Sequence, residues 1–178
     1  DSSFYALPSA ENAYLWAQRT PDDFVFNIKA YRLFTGHQTP LTALPADIRQ
    51  ELGDWPEPVI YHRGMPDDLR DELWRRYTLA LEPLRMADKL GAVHFQFPPW
   101  VQRDARGMAL VADCVRRLED HLVSVEFRHR SWFATPAATA ATLAMERELG
   151  VVHTVVDAPQ GFDNSVPAVW ECTHPDLT

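Results

Sequence analysis

Val123-Ser124-Val125-Glu126-Phe127-Arg128 decides the fold. Apolar and polar residues alternate along it, and a period of two belongs to a strand whose side chains point to opposite faces. Roughly 30 residues upstream, the spacing of a βα unit, Ala92-Val93-His94-Phe95-Gln96-Phe97 repeats the pattern, with His94 and Gln96 on the polar side. Phe24-Val25-Phe26-Asn27-Ile28-Lys29 sets Phe24, Phe26 and Ile28 against Asn27 and Lys29. Val151-Val152-His153-Thr154-Val155-Val156, followed by Asp157, is read the same way, with Val152 and Val156 opposite His153 and Asp157.

Helical patterns fill the intervals. Asp67-Asp68 opens one whose Leu69, Leu73, Trp74, Tyr77, Leu81 and Leu84 recur on a single face. Arg103 to about His121 makes another, with Leu110, Cys114 and Leu118 inward. Thr135-Pro136 is a cap followed by proline at the first helical position, and Gly150 closes that helix. A further helix runs from Ser9 to Arg19. Strands alternating with helices predict parallel pairing with right-handed crossovers. A sheet covered on both faces would need both parities apolar. Here one parity is polar on four strands and grows more so towards their carboxyl ends, which predicts a (β/α) barrel with a wet mouth. The proline-rich stretch from Gly36 to Pro66 leaves the carboxyl end of a strand and is expected to form a lid or rim.

Composition narrows the classes. The chain has 178 residues, 46% hydrophobic and 24% charged, as globular domains do. It holds no apolar run of about 18 residues, so a membrane span is not expected. A net charge of −8 disfavours a nucleic-acid partner across the whole surface but leaves room for a local basic pocket. Cys114 and Cys172 have no metal or redox spacing, which makes the reducing cytoplasm the default location. The first residue is Asp1 rather than Met, so an upstream segment is expected.

Several separated motifs carry a resemblance. Ser2-Ser3-Phe4-Tyr5 with Leu7-Pro8, Phe26-Asn27-Ile28-Lys29-Ala30, Thr35-Gly36-His37, Gln96-Phe97-Pro98-Pro99 and Glu126-Phe127-Arg128-His129 with Ser131-Trp132 occur in the order found in the YecE-like family, domain of unknown function 72. The resemblance implies a TIM barrel of about 250 residues. The family's opening Gly-Trp strand and its closing Arg-Leu-His-Gly strands are missing from this sequence. Residues 1–178 are therefore expected to be one domain, an incomplete barrel covering approximately strands 2 to 6. Its two open edges call for further strands, or for pairing with another copy.

The polar parity supplies the candidate site. Glu126 and Arg128 share a face, so a carboxylate and a guanidinium stand at one strand's mouth. Glu126 is a candidate general base, with Lys29 and Asp157 as further catalytic candidates and Arg128 as a grip for an anion. Gln96, His129, Trp132, Tyr5 and His37 are candidate substrate contacts. His94, Glu126, His129, His153 and Asp157 could contribute to a metal site, but no paired-ligand spacing supports one, and no metal ligand is assigned. The leading expectation is a small anionic or phosphorylated ligand, bound or converted at the carboxyl-end mouth, with a hydrolase among the enzyme classes considered. The alternatives are a metal-dependent phosphodiester hydrolase or nucleic-acid binder of endonuclease IV type, an analogy at the level of fold, and a non-catalytic ligand sensor.

Overall fold

The computed structural model describes residues 2–162 and 165–177, so Asp1 lies outside the described residues. The chain divides into two compact units, Asp1–Ala92 and Val93–Thr178, with the boundary inside a strand.

The first unit opens with a one-turn helix, α1 (Ser2–Tyr5), and continues into α2 (Ala10–Gln18). The Ser9 hydroxyl accepts from the Asn12 amide at 3.1 Å and so caps α2, whose start agrees with the helix expected from Ser9. β1 (Phe26–Lys29) follows. The proline-rich excursion after it is not a bare loop. β2 (Thr39–Pro40) and β3 (Val59–Ile60) close it as an antiparallel ribbon, with Thr39 opposite Ile60, and α3 (Ala46–Leu52) lies between them. Buried Ile48 and Ile60 give this excursion apolar anchors, and the Trp55 indole donates to the Val59 carbonyl at 3.1 Å. α4 (Asp67–Met86) buries the predicted stripe from Leu69 to Leu84 and packs against α2. Phe34 lies flat on Trp74, with ring centroids 3.7 Å apart, inside an aromatic core that includes Tyr31 and Tyr77. Lys89 is buried, and its ammonium donates to the Ala17 and Thr20 carbonyls at 2.8 and 2.9 Å. A cation there satisfies the open carbonyls at the end of α2 and complements the helix dipole.

β4 (Leu90–Phe97) starts in this unit beside β1. The Phe26 amide donates to the Lys89 carbonyl at 2.8 Å, and the Asn27 side-chain oxygen accepts from the Ala92 amide at 2.8 Å. Gly91 makes this approach possible, because a Cβ there would stand 2.5 Å from the Asn27 oxygen.

The second unit continues β4 and adds α5 (Ala105–Arg116), β5 (Leu122–Phe127), α6 (Pro136–Glu148) and β6 (Val152–His153). Asp104 and Thr135 cap the two helices through their side-chain oxygens. Gly150, at φ 64°, follows the end of α6, as the sequence predicts. Val93, Phe95, Phe97, Val123, Val125 and Phe127 are all buried, which is the apolar parity read from the sequence. The sheet order is β1-β4-β5-β6, and β5 and β6 run parallel. The chain is thus α/β with a four-stranded parallel sheet and no closed barrel among the described residues, as an incomplete barrel requires.

Register corrects one expectation. Ser124 lies opposite Val152 and Val125 opposite His153. Directly registered residues of parallel strands point to the same side, so His153 shares the apolar side with Val125, not the polar side with Glu126. Its Nδ1 meets the Glu146 carboxylate of α6 at 3.0 Å, and both side chains are buried. Beyond β6, the Thr173 hydroxyl accepts from the His153 amide and donates to the Val151 carbonyl, both at 2.7 Å.

Candidate functional site

The candidate residues fall into two groups, one in each unit. In the second unit, Gln96 and Arg128 gather around Glu126, together with His94. Alternation along β5 turns Ser124 and Glu126 away from the buried valines, and alternation along β4 does the same for His94 and Gln96. The Gln96 amide donates to Glu126 Oε1 at 2.6 Å, and His94 Nε2 meets Oε2 at 3.2 Å. Arg128, just past the end of β5, donates through Nε to Oε1. Glu126 is 8% exposed, and such burial alone would raise its carboxyl. Hydrogen bonds from His94 and Gln96, with the charge of Arg128, outweigh that and hold it down at about 2. Glu126 is therefore an ionised acceptor at neutral pH. A neutral His94 must then carry its proton on Nε2, leaving Nδ1 to accept from the Ser124 hydroxyl at 3.0 Å.

Arg128 bridges this network and the solvent. Its side chain is 43% exposed, and Nε is its only donor engaged by a described residue. It also lines a cavity of about 290 Å³, whose other walls include Pro99, Val156, Pro159, Phe162 and Val166. His129 serves its own turn instead. Its Nδ1 accepts from the Ser131 amide at 3.1 Å and contacts the Ser131 hydroxyl at 2.8 Å, closing the chain reversal after β5. Asp157 is exposed, four residues past the end of β6, and makes no hydrogen bond or ion pair among the described residues.

Trp132 does not line an open site. It is fully buried, stacked on Phe127 at 3.9 Å, with its indole donating to the Val101 carbonyl at 2.9 Å. The one-turn helix after β5 carries it into the apolar core, a placement strand parity does not govern.

The first unit holds Lys29, Tyr5 and His37. The Lys29 ammonium sits 4.6 Å from the centre of the Phe4 ring. His37 packs edge-on against Phe4 at 5.0 Å, and its Nδ1 lies 2.8 Å from the Thr35 hydroxyl. Burial, Arg32 and Lys29 together lower the His37 pKa to about 4. Sequence reasoning missed Arg32. Its guanidinium lies over both Phe4 and Tyr5, at 5.5 and 5.8 Å, and partners so far apart along the chain leave no local signal of that contact.

No group of three or more His, Cys, Asp or Glu side chains is arranged to hold a metal among the described residues. No helix among them is long and apolar enough to cross a membrane.

Comparison with known proteins places the chain among relatives. Residues 1–178 match a family described as "Protein of unknown function DUF72". The UPF0759 protein YunF of Bacillus subtilis (strain 168) is 34% identical over 178 residues, which are all of this chain and 55% of that protein. A DUF72 family protein of Enterococcus faecalis V583 superposes with a TM-score of 0.76 at 22% identity, covering 98% of this chain and 55% of its own. A DUF72 family protein of Thermotoga maritima MSB8 gives 0.62 at 21% identity, over 96% and 54%. The chain thus spans about half the length of these relatives.

Proposed function

For a chain that belongs to DUF72, a family of proteins of unknown function, we propose that the Glu126–Arg128 site binds a small organic anion, a carboxylate or phosphate with an apolar body. One observation carries this reading. Arg128 is fixed through Nε by a buried, ionised carboxylate, while the rest of its side chain is half exposed at the wall of a mainly apolar cavity. A guanidinium held in this way keeps its terminal amino groups for two parallel hydrogen bonds to an oxyanion. Holding it in place before the ligand arrives reduces the ordering cost of binding. Val156, Pro159 and Phe162 offer contact for the ligand's apolar part.

Glu126 acts here by positioning. Three donors occupy its oxygens, and a carboxyl held at about 2 lies far below the range of an efficient general base at neutral pH. Gln96 and His94 fix its orientation, and His94 passes that constraint on to Ser124. Conversion of the ligand, by hydrolysis or otherwise, would need a further reacting group at the cavity.

Chemical-shift titration with phenyl phosphate and with butyrate, followed at the Gln96 side-chain amide that donates to Glu126, tests the proposal. The parent chain binds at least one of them, and Arg128→Met weakens that binding by about tenfold or more, as expected for loss of charged hydrogen bonds. Arg128→Lys keeps the charge without the fork and falls between the two. Equal binding by Arg128→Met, or none by the parent, overturns the reading.

A further inference from the structure

Arg32 is a charged side chain whose donors find no acceptor among the described residues. None of its five N–H groups donates to a described residue, and its buried Nε has no hydrogen-bond partner. Buried polar atoms are rarely left so, and each such case asks for an explanation. The side chain is also held in place. Its backbone amide donates to the Phe4 carbonyl at 3.0 Å, its carbonyl accepts from the Thr35 hydroxyl at 3.2 Å, and its guanidinium rests on the Phe4 and Tyr5 rings. The Lys29 ammonium and the His37 imidazole lie against the same Phe4 ring. Two cations therefore stand around one ring in a chain whose net charge is −8.

We propose that Arg32 is the centre of a second oxyanion site, in the first unit, which takes a phosphate or carboxylate group with Lys29 as supporting charge and His37 as a neutral hydrogen-bonding neighbour. Stacking on Phe4 and Tyr5 orients the guanidinium plane, and its unused N–H fork supplies the paired donors that an oxyanion fits. Tyr5 is 59% exposed, so its ring is open to contact with an organic body attached to the anion. Burial first, and then the charges of Arg32 and Lys29, lower the His37 pKa, so the imidazole is neutral beside the two cations at pH 7. This site belongs to the first unit and the one at Arg128 to the second, and neither reading depends on the other.

The test is a chemical-shift titration at pH 7, following the His37 ring protons and the Arg32 Nε–H. Inorganic phosphate and phenyl phosphate are added separately to the parent chain, to Arg32→Met, to Arg32→Lys and to Arg128→Met. Saturable shifts are expected at His37 and Arg32 in the parent and in Arg128→Met. Arg32→Lys should weaken the apparent affinity by about tenfold, the usual scale for losing a paired guanidinium contact, and Arg32→Met should abolish it. A response to phenyl phosphate much stronger than to inorganic phosphate identifies an organic phosphate as the ligand class, and equal responses identify the free oxyanion. No saturable shift in the parent, or an undiminished response in Arg32→Lys and Arg32→Met, overturns the proposal. If Arg32→Met does not fold, the parent and Arg32→Lys decide it.

Discussion

Replacing Glu126 with Gln removes one charge while leaving the shape of the side chain almost unchanged. The parent carboxyl is held at about 2 against an ordinary 4.5, and at about 1.4 kcal/mol per unit this corresponds to about 3 kcal/mol of preferential stabilisation of the ionised, folded form. Because the folded pKa is the lower one, the contribution is complete above about 4.5 and is lost as pH falls towards 2. A glutamine cannot follow that curve. Its single carbonyl oxygen can still accept from Gln96 or Arg128, but its NH2 puts a second donor where His94 Nε2 met a carboxylate oxygen. Arg128 loses its counter-charge. We expect Glu126→Gln to be less stable than the parent by about 1–3 kcal/mol at pH 7, as for a broken charged hydrogen bond, and the gap to close between pH 4.5 and 2. Urea unfolding of both chains across pH 7 to 2.5 measures it. A gap that stays constant with pH, or no gap at neutral pH, would refute the account of Glu126 as an ionised hub.

Two further substitutions probe the frame. Gly107→Ala brings a Cβ to 1.9 Å from the Gln102 carbonyl oxygen, so despite alanine's better helix propensity the variant should lose about 1–3 kcal/mol by overpacking; an unchanged melting temperature would show that the turn before α5 yields. Lys89→Met leaves the Ala17 and Thr20 carbonyls without their donor and should cost about 1–3 kcal/mol in urea unfolding, whereas equal stability would mean that water replaces the ammonium without loss.

Much of this architecture is legible in the sequence, for physical reasons that also mark where it stops. β4 and β5 alternate cleanly, because Phe95 and Phe97, or Val125 and Phe127, leave no doubt about the buried side; His94, Gln96, Glu126 and Arg128 follow from counting by two. Ser9 and Thr135 mark helix starts because a hydroxyl there accepts from an amide that the helix itself leaves open. β6 fails the same test. Valines occupy both parities of residues 151–156, and the reason His153 is buried, a carboxylate on α6, is visible only in three dimensions. Trp132 is lost for a related reason, since the one-turn helix after β5, Arg130–Trp132, resets the direction of the side chains it carries. The two-residue strands β2 and β3 are too short for any period to reveal. Arg32 is the clearest case, because an aromatic clamp assembled from distant segments has no spacing to read.

The Thr173 hydroxyl on the outer side of β6 works as a plug. An incoming strand would have to evict it before docking on the His153 amide and the Val151 carbonyl, the two groups it already serves. A valine at that place would keep the bulk yet leave the His153 amide and the Val151 carbonyl without the one hydroxyl that serves both.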